Sequence, residues 1–178
     1  MISLVTTRFD NKTWGENHEF RINHNINGCI YGSPFQLSSH INNNDIVFVI
    51  EMNNATNLIE GIGLIRNISH SDDYCPIHND YNYNRYIYKS KYRLDRNDII
   101  KQDKMTLLNI IEYIVFYEKN HLKRGTGFTI LNQELIKKKH NANIKRINLE
   151  NLIQMIKKMF KNLFTDNINI NINVNTPS

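Results

Sequence analysis

Two stretches of this sequence carry side chains whose types and spacing suit an anionic ligand with aromatic rings. In NRYIYKSKYRLDR (84–96), Tyr86 and Tyr88 are interleaved with Lys89, Lys91, Arg93 and Arg96. That mixture holds backbone phosphates while bases stack on aromatic faces. An edge strand protected by lysines has the same composition, and both readings stay open. In HLKRGTGFTIL (121–131), Lys123 and Arg124 lead into Gly125, Thr126 and Gly127. A basic glycine loop of this kind can accept a phosphate through its amides. It lacks the full P-loop pattern and is not read as a nucleoside triphosphate site.

Other reactive groups are scattered. His70, His78 and His121 lie near acidic residues and are candidate general bases, but no nucleophile, oxyanion or paired-carboxylate arrangement accompanies them. The chain is therefore read as non-enzymatic and without a cofactor. His70, Cys75 and His78 lack a fourth partner and any recognised zinc spacing, so no metal site is assigned. The loop ISHSDDYCPIHNDYNYN (68–84) is long enough to be functional. It carries Tyr74, Tyr81 and Tyr83, which argue that it packs on something. Trp14, the only tryptophan, is either a half-buried packing residue or a ligand platform.

These groups hang on a scaffold centred on NDIVFVIEMNNATNLIEGIGLIRN (44–67). Its apolar run from Ile46 to Ile50, the Asn-rich interruption and the resumption from Ile59 read as a strand, a turn and a strand. The first arm lacks strict alternation, which places cover on both faces. Gly61 and Gly63 stand where another backbone, or a ligand, approaches closely. Residues 2–7 predict a first strand, 17–22 a short helix and 35–41 a helical turn, while 84–96 reads as one strand. Apolar residues at helical spacing predict a helix over 105–119. A further helical segment is read at 133–139. Asn148 caps an amphipathic helix whose stripe includes Leu149, Leu152, Ile153, Ile156, Phe160, Leu163 and Phe164. The alternating tail from 167 to 178 is an edge strand or a disordered end.

The chain of 178 residues suits one domain with its own core. Two cysteines point to a reducing compartment, cytoplasmic or nuclear, and no apolar run reaches the length of a membrane span. A net charge of +5 and a pI near 9.1 favour an anionic partner without demanding one. About one residue in six is Asn, which looks like the bias of an AT-rich coding genome and discounts any single exposed Asn as a site residue.

Several local strings also resemble a known superfamily. The hairpin of 44–67 resembles that of the PUA-like barrels, in particular their EVE and YTH branches. GCIYGSP (28–34) is similar to the YTH segment carrying the first tryptophan of the methyl-adenine cage, and 84–96 resembles the late strand of that fold. The resemblance covers roughly residues 1–100. It implies an α+β chain: a small open PUA-like β-barrel flanked by helices, completed by a helical extension over 101–166 and a tail from 167. It further implies binding of RNA, single-stranded and either capped or carrying N6-methyladenine, with one base held in a pocket. Tyr31 then falls on or next to the first cage position, with Asn11 where polar contacts to the base are made. One of Tyr74, Tyr81 and Tyr83 supplies the second wall, and Trp14 joins the pocket candidates. Tryptophan is absent from both cage positions, which detaches N6-methyladenine reading from simple base stacking. The competing reading is a structural subunit of a viral or RNA-associated assembly, docking or self-associating through the helix at 148–164.

Overall fold

In the structure, a computed structural model, residues 2–70 and 75–163 are described. The chain runs β1 (Ile2–Phe9), α1 (Asn11–Asn23), β2 (Cys29–Ser33), β3 (Ile46–Asn53), β4 (Leu58–Arg66), a 3-10 turn (Tyr81–Asn84) and β5 (Tyr86–Ser90). It continues through β6 (Tyr92–Asp95), α2 (Arg96–Lys101), α3 (Met105–Phe116), β7 (Thr129–Ile130), α4 (Gln133–Lys137), α5 (Ala142–Lys145) and α6 (Leu149–Leu163). Five strands form one sheet in the order β6-β4-β3-β1-β7, and β2 pairs with β5 in a second. The class is α+β.

The central hairpin forms as its sequence predicts. β3 and β4 pair antiparallel from Ile46–Arg66 to Asn53–Leu58, with a bulge after Glu51. β1 lies parallel to β3, in register from Ile2–Ile46 to Phe9–Asn53, and α1 and β2 travel in the crossover between them. Both faces of this sheet are covered, which explains the missing alternation in β3. Phe48, Ile50 and Met52 face a core shared with Leu107, Ile111 and Ile114 of α3 and Ile153, Ile156 and Phe160 of α6. Val47 and Val49 face the other way, against Tyr31 of β2 and Tyr88 of β5. The outer side of the small sheet is covered in turn, where Ile30 and Ile87 meet Ile77 and Phe20.

The apolar stripe of α6 is thereby occupied within the chain as far as Phe160. Leu152, Ile153, Ile156, Met159 and Phe160 are all buried, and the Phe160 ring lies 5.3 Å from that of Phe48. Asn148 caps this helix as predicted, its Oδ1 accepting from the Asn151 N–H at 3.2 Å. None of the described helices is long and apolar enough to cross a membrane.

Four expectations are corrected. Among the described residues no barrel closes: β6 and β7 are the outer strands of the large sheet, and β2 and β5 hydrogen-bond only to each other as strands. The predicted strand over 84–96 is two strands in different sheets, because β5 is drawn into register with β2 while β6 pairs with β4. The short helix expected over 17–22 begins at Asn11, since Asp10 and Thr13 form a reciprocal capping box there. Residues 35–41 form bends and turns instead of a helix. Tyr74 and the tail from 167 lie outside the described residues.

Candidate functional site

β2 divides the chemistry of this protein, because successive side chains along a strand point to opposite faces. Tyr31 points inward and is 1% exposed. Its hydroxyl donates to Glu51 Oε1 at 2.7 Å. Glu51, in the middle of the apolar run of β3 and 2% exposed, is held by Arg93 from β6, whose Nε and Nη2 donate at 2.9 and 2.7 Å. Gly61 and Gly63 make room for this cluster. A side chain at Gly61 would press on Arg93 and Glu51, and one at Gly63 would overlap the Tyr31 hydroxyl. The close approach foreseen at these glycines is thus to buried polar side chains. Burial and the neighbouring Glu51 carboxylate push the Tyr31 hydroxyl far above its usual pKa, so it stays a neutral donor. Tyr31 is therefore a core residue, not a pocket wall. Likewise Arg93, read as a phosphate contact, holds Glu51.

On the other side of the strand the backbone of Gly32 borders a cavity of about 180 Å³. One wall is the end of β1 and the start of α1, Thr7 to Asp10 with Thr13. The cap fixes this wall: the Thr13 N–H donates to Asp10 Oδ1 at 2.7 Å, and the Asp10 N–H donates to Thr13 Oγ1 at 2.9 Å. The second wall is the glycine loop, where Gly125 and Gly127 have φ of +111° and +70°, values that side chains rarely adopt. Arg8 straps this loop to β1, donating from Nε to the Leu122 carbonyl at 2.6 Å, from Nη1 to the Gly127 carbonyl at 2.8 Å, and from Nη2 to Thr129 Oγ1. Its charge is thus engaged with neutral acceptors, and burial lowers its pKa.

The third wall is the loop before β5. Gly32 lacks a Cβ because the Tyr83 carbonyl sits where one would be. Asn84 pins the loop on itself, its Oδ1 accepting from the His78 N–H at 3.0 Å and its Nδ2 donating to the His78 carbonyl. Tyr83 and the buried His78 line the cavity, their rings 6.0 Å apart edge to face. His78 Nδ1 lies 3.0 Å from Glu16 Oε2 on α1. A carboxylate accepts, so Nδ1 carries the proton, and neutral His78 keeps Nε2 as an acceptor. Burial lowers the His78 pKa, with Glu16 acting against it, which favours this neutral form. Asn54 completes the enclosure by donating from Nδ2 to the Lys123 carbonyl at 2.9 Å. Its Oδ1 is buried without a hydrogen-bond partner among the described residues.

Of the predicted pocket residues, Tyr83 lines this cavity. Asn11 is exposed beside Asp10, the residue that does line it, and Tyr81, 70% exposed, stands two residues from Tyr83. Trp14 packs edge-on against Phe9 at 5.3 Å and borders a second cavity. Arg124 is exposed next to Gly125, and Lys123 donates to Asn57 Oδ1 at 2.8 Å. Arg96 is ion-paired with Glu112 and donates to the Ile59 carbonyl at 2.9 Å. Lys89 and Lys91 are exposed where β5 gives way to β6, and Lys91 Nζ sits 5.2 Å from the Tyr92 ring centroid. Sequence reasoning missed Arg8, Asp10, Thr13, Gly32 and Asn54. The Asp10-x-x-Thr13 cap was the signal that could have found the first wall. Compared with family models, curated proteins and solved structures, the chain matches none.

Proposed function

We propose that this chain is a non-enzymatic RNA-binding module that takes a single base into the cavity beside Gly32. The observation that carries the reading is the cavity itself. Drug-sized ligands need about 300–1,000 Å³, so a space of about 180 Å³ suits one small planar group rather than a whole nucleotide. Its lining supplies what a base needs. Tyr83 and Phe9 offer aromatic surface, and His78 Nε2 offers a fixed acceptor. Arg124 at the rim and the exposed Lys89 and Lys91 supply positive charge for the phosphates. A methyl group on the base would add about 0.8 kcal/mol by burial, less than the stacking of the base.

Filter binding of single-stranded RNA, methylated and unmodified, at two salt concentrations tests this. Affinity is expected to fall with salt. Tyr83→Ala is expected to lose roughly 1–3 kcal/mol of binding, the stacking contribution of one base, while stability changes by about 0.5 kcal/mol or less, as for a surface substitution. RNA affinity indifferent to both salt and Tyr83 would overturn the reading.

A further inference from the structure

α1 borders two cavities. Thr13 lines the base-sized one, and the next residue, Trp14, lines an open cavity of about 520 Å³ bounded also by His18, Arg21, Arg93 and Arg96. Arg21 is the anomaly there. It is 9% exposed, yet the only hydrogen bond of its side chain among the described residues runs from Nε to the neutral Asn17 Oδ1 at 3.1 Å. Asn17 is itself anchored, donating to the Ile30 carbonyl at 2.7 Å. The nearby carboxylate Glu51 is taken by Arg93 and the Tyr31 hydroxyl. Arg21 and Arg93 both lie over the Trp14 ring, their Cζ atoms 5.6 and 5.8 Å from its centroid. Two like charges thus share one ring, with the Nη donors of Arg21 unmatched.

The Nη donors of Arg21 are not sealed from the cavity it lines, and a guanidinium fork matches an oxyanion with two parallel donors. We infer that this cavity is an anion site in which Arg21, beside Trp14 and Arg96, receives the phosphodiester of the nucleotide chain whose base enters the cavity lined by Thr13. This rests on the proposed RNA reading. Arg96 contributes through Nη2, since Nη1 is engaged by Glu112 and the Ile59 carbonyl. Two carboxylates also line the cavity and limit the charge it accepts. Glu60 accepts from Asn53 Nδ2 at 2.8 Å, and Asp95 accepts from the Asp98 N–H at 2.8 Å at the start of α2. They disfavour a dianion, so the singly charged phosphodiester is preferred over a terminal phosphate. Burial, and then the charge of Arg93, lower the Arg21 pKa, with the Glu51 carboxylate acting against them.

Trp14, the sole tryptophan, reports on the site directly through its fluorescence. The full chain would be titrated with dimethyl phosphate, inorganic phosphate and a single-stranded RNA tetramer, each against chloride at matched ionic strength. Dimethyl phosphate and the tetramer are expected to shift the emission saturably. In Arg21→Gln the dimethyl phosphate response is expected to vanish, and tetramer affinity to fall roughly ten-fold or more, the worth of a hydrogen-bonded charge. The salt slope should fall by about one. Without ligand, Arg21→Gln is expected to melt within a few degrees of the parent, because the Nη donors it removes hold no partner in the described chain. A response to dimethyl phosphate without RNA binding would uphold the anion site and overturn the RNA reading. No Arg21-dependent response to dimethyl phosphate, or a variant that melts several degrees lower, would overturn the site and make Arg21 a packing residue.

Discussion

Tyr31 and Gly32 are neighbours in one short strand, and the two sides of that strand have opposite character. Inward, Tyr31, Glu51 and Arg93 satisfy one another and lock β2, β3 and β6 together through a single carboxylate. Outward, the backbone of Gly32 and the rings of Tyr83 and His78 enclose space that the chain leaves unfilled, beside a buried Asn54 oxygen with no partner among the described residues. A satisfied polar cluster specifies one arrangement of strands. An unsatisfied one is where a ligand can add hydrogen bonds that the protein does not make for itself. Polarity alone therefore does not mark a site; incomplete pairing does.

The comparison breaks most visibly at Arg93. Arg93→Met would leave the buried Glu51 with the Tyr31 hydroxyl as its one remaining side-chain hydrogen bond among the described residues, and stability measured by urea unfolding is expected to fall by about 3–5 kcal/mol. Adding Glu51→Leu removes the stranded charge and should recover most of that loss. A single variant as stable as the parent would show that the carboxylate is not sealed. Gly63→Ala is the next test. Its methyl group would overlap the Tyr31 hydroxyl and crowd Cys29, at an expected cost of about 1–3 kcal/mol. Tyr31→Phe on that background removes one of the two conflicts and should restore part of the loss. Full stability of Gly63→Ala alone would mean that β2 can move away from β4.

The hairpin and the helices over 105–116 and 149–163 were legible because their apolar periodicity coincides with their burial. α1 was not, since among its residues only Asn17 and Arg21 are buried. A helix that packs through polar side chains leaves no apolar stripe to read, and only its capping box announces it. The fate of Tyr31 was written elsewhere in the chain, in Glu51. A carboxylate inside an apolar strand must be paired, and its partners are a tyrosine on β2 of the small sheet and an arginine on β6, one strand beyond β4. The site was half legible. Its glycine loop and Tyr83 stand out by composition, whereas Arg8, Asp10 and Asn54 matter through hydrogen bonds between segments far apart in sequence. The resemblance to a PUA-like barrel erred where the strand over 84–96 changes sheets, a choice made by pairing partners rather than by the residues of the strand.

The smallest effect expected is a pH dependence from the outward side of β2. His78 is held neutral by burial, with a folded pKa below the ordinary value of 6.5. The unfolded chain therefore takes up this proton at a higher pH than the folded one. Between the two values the unfolded state binds more protons, so stability falls as pH drops through that window, by at most about 1.4 kcal/mol per pH unit. Above about pH 6.5 both states are neutral at this position and the contribution is flat. His78→Gln removes the titration, so the stability difference between parent and variant should be constant above that pH and shift against the parent below it. The opposite sign, with the parent gaining stability in acid, would mean that Glu16 outweighs burial and His78 is an ion pair. Its Nε2 would then be a donor in the folded state, and the outward side would be as fully paired as the inward one.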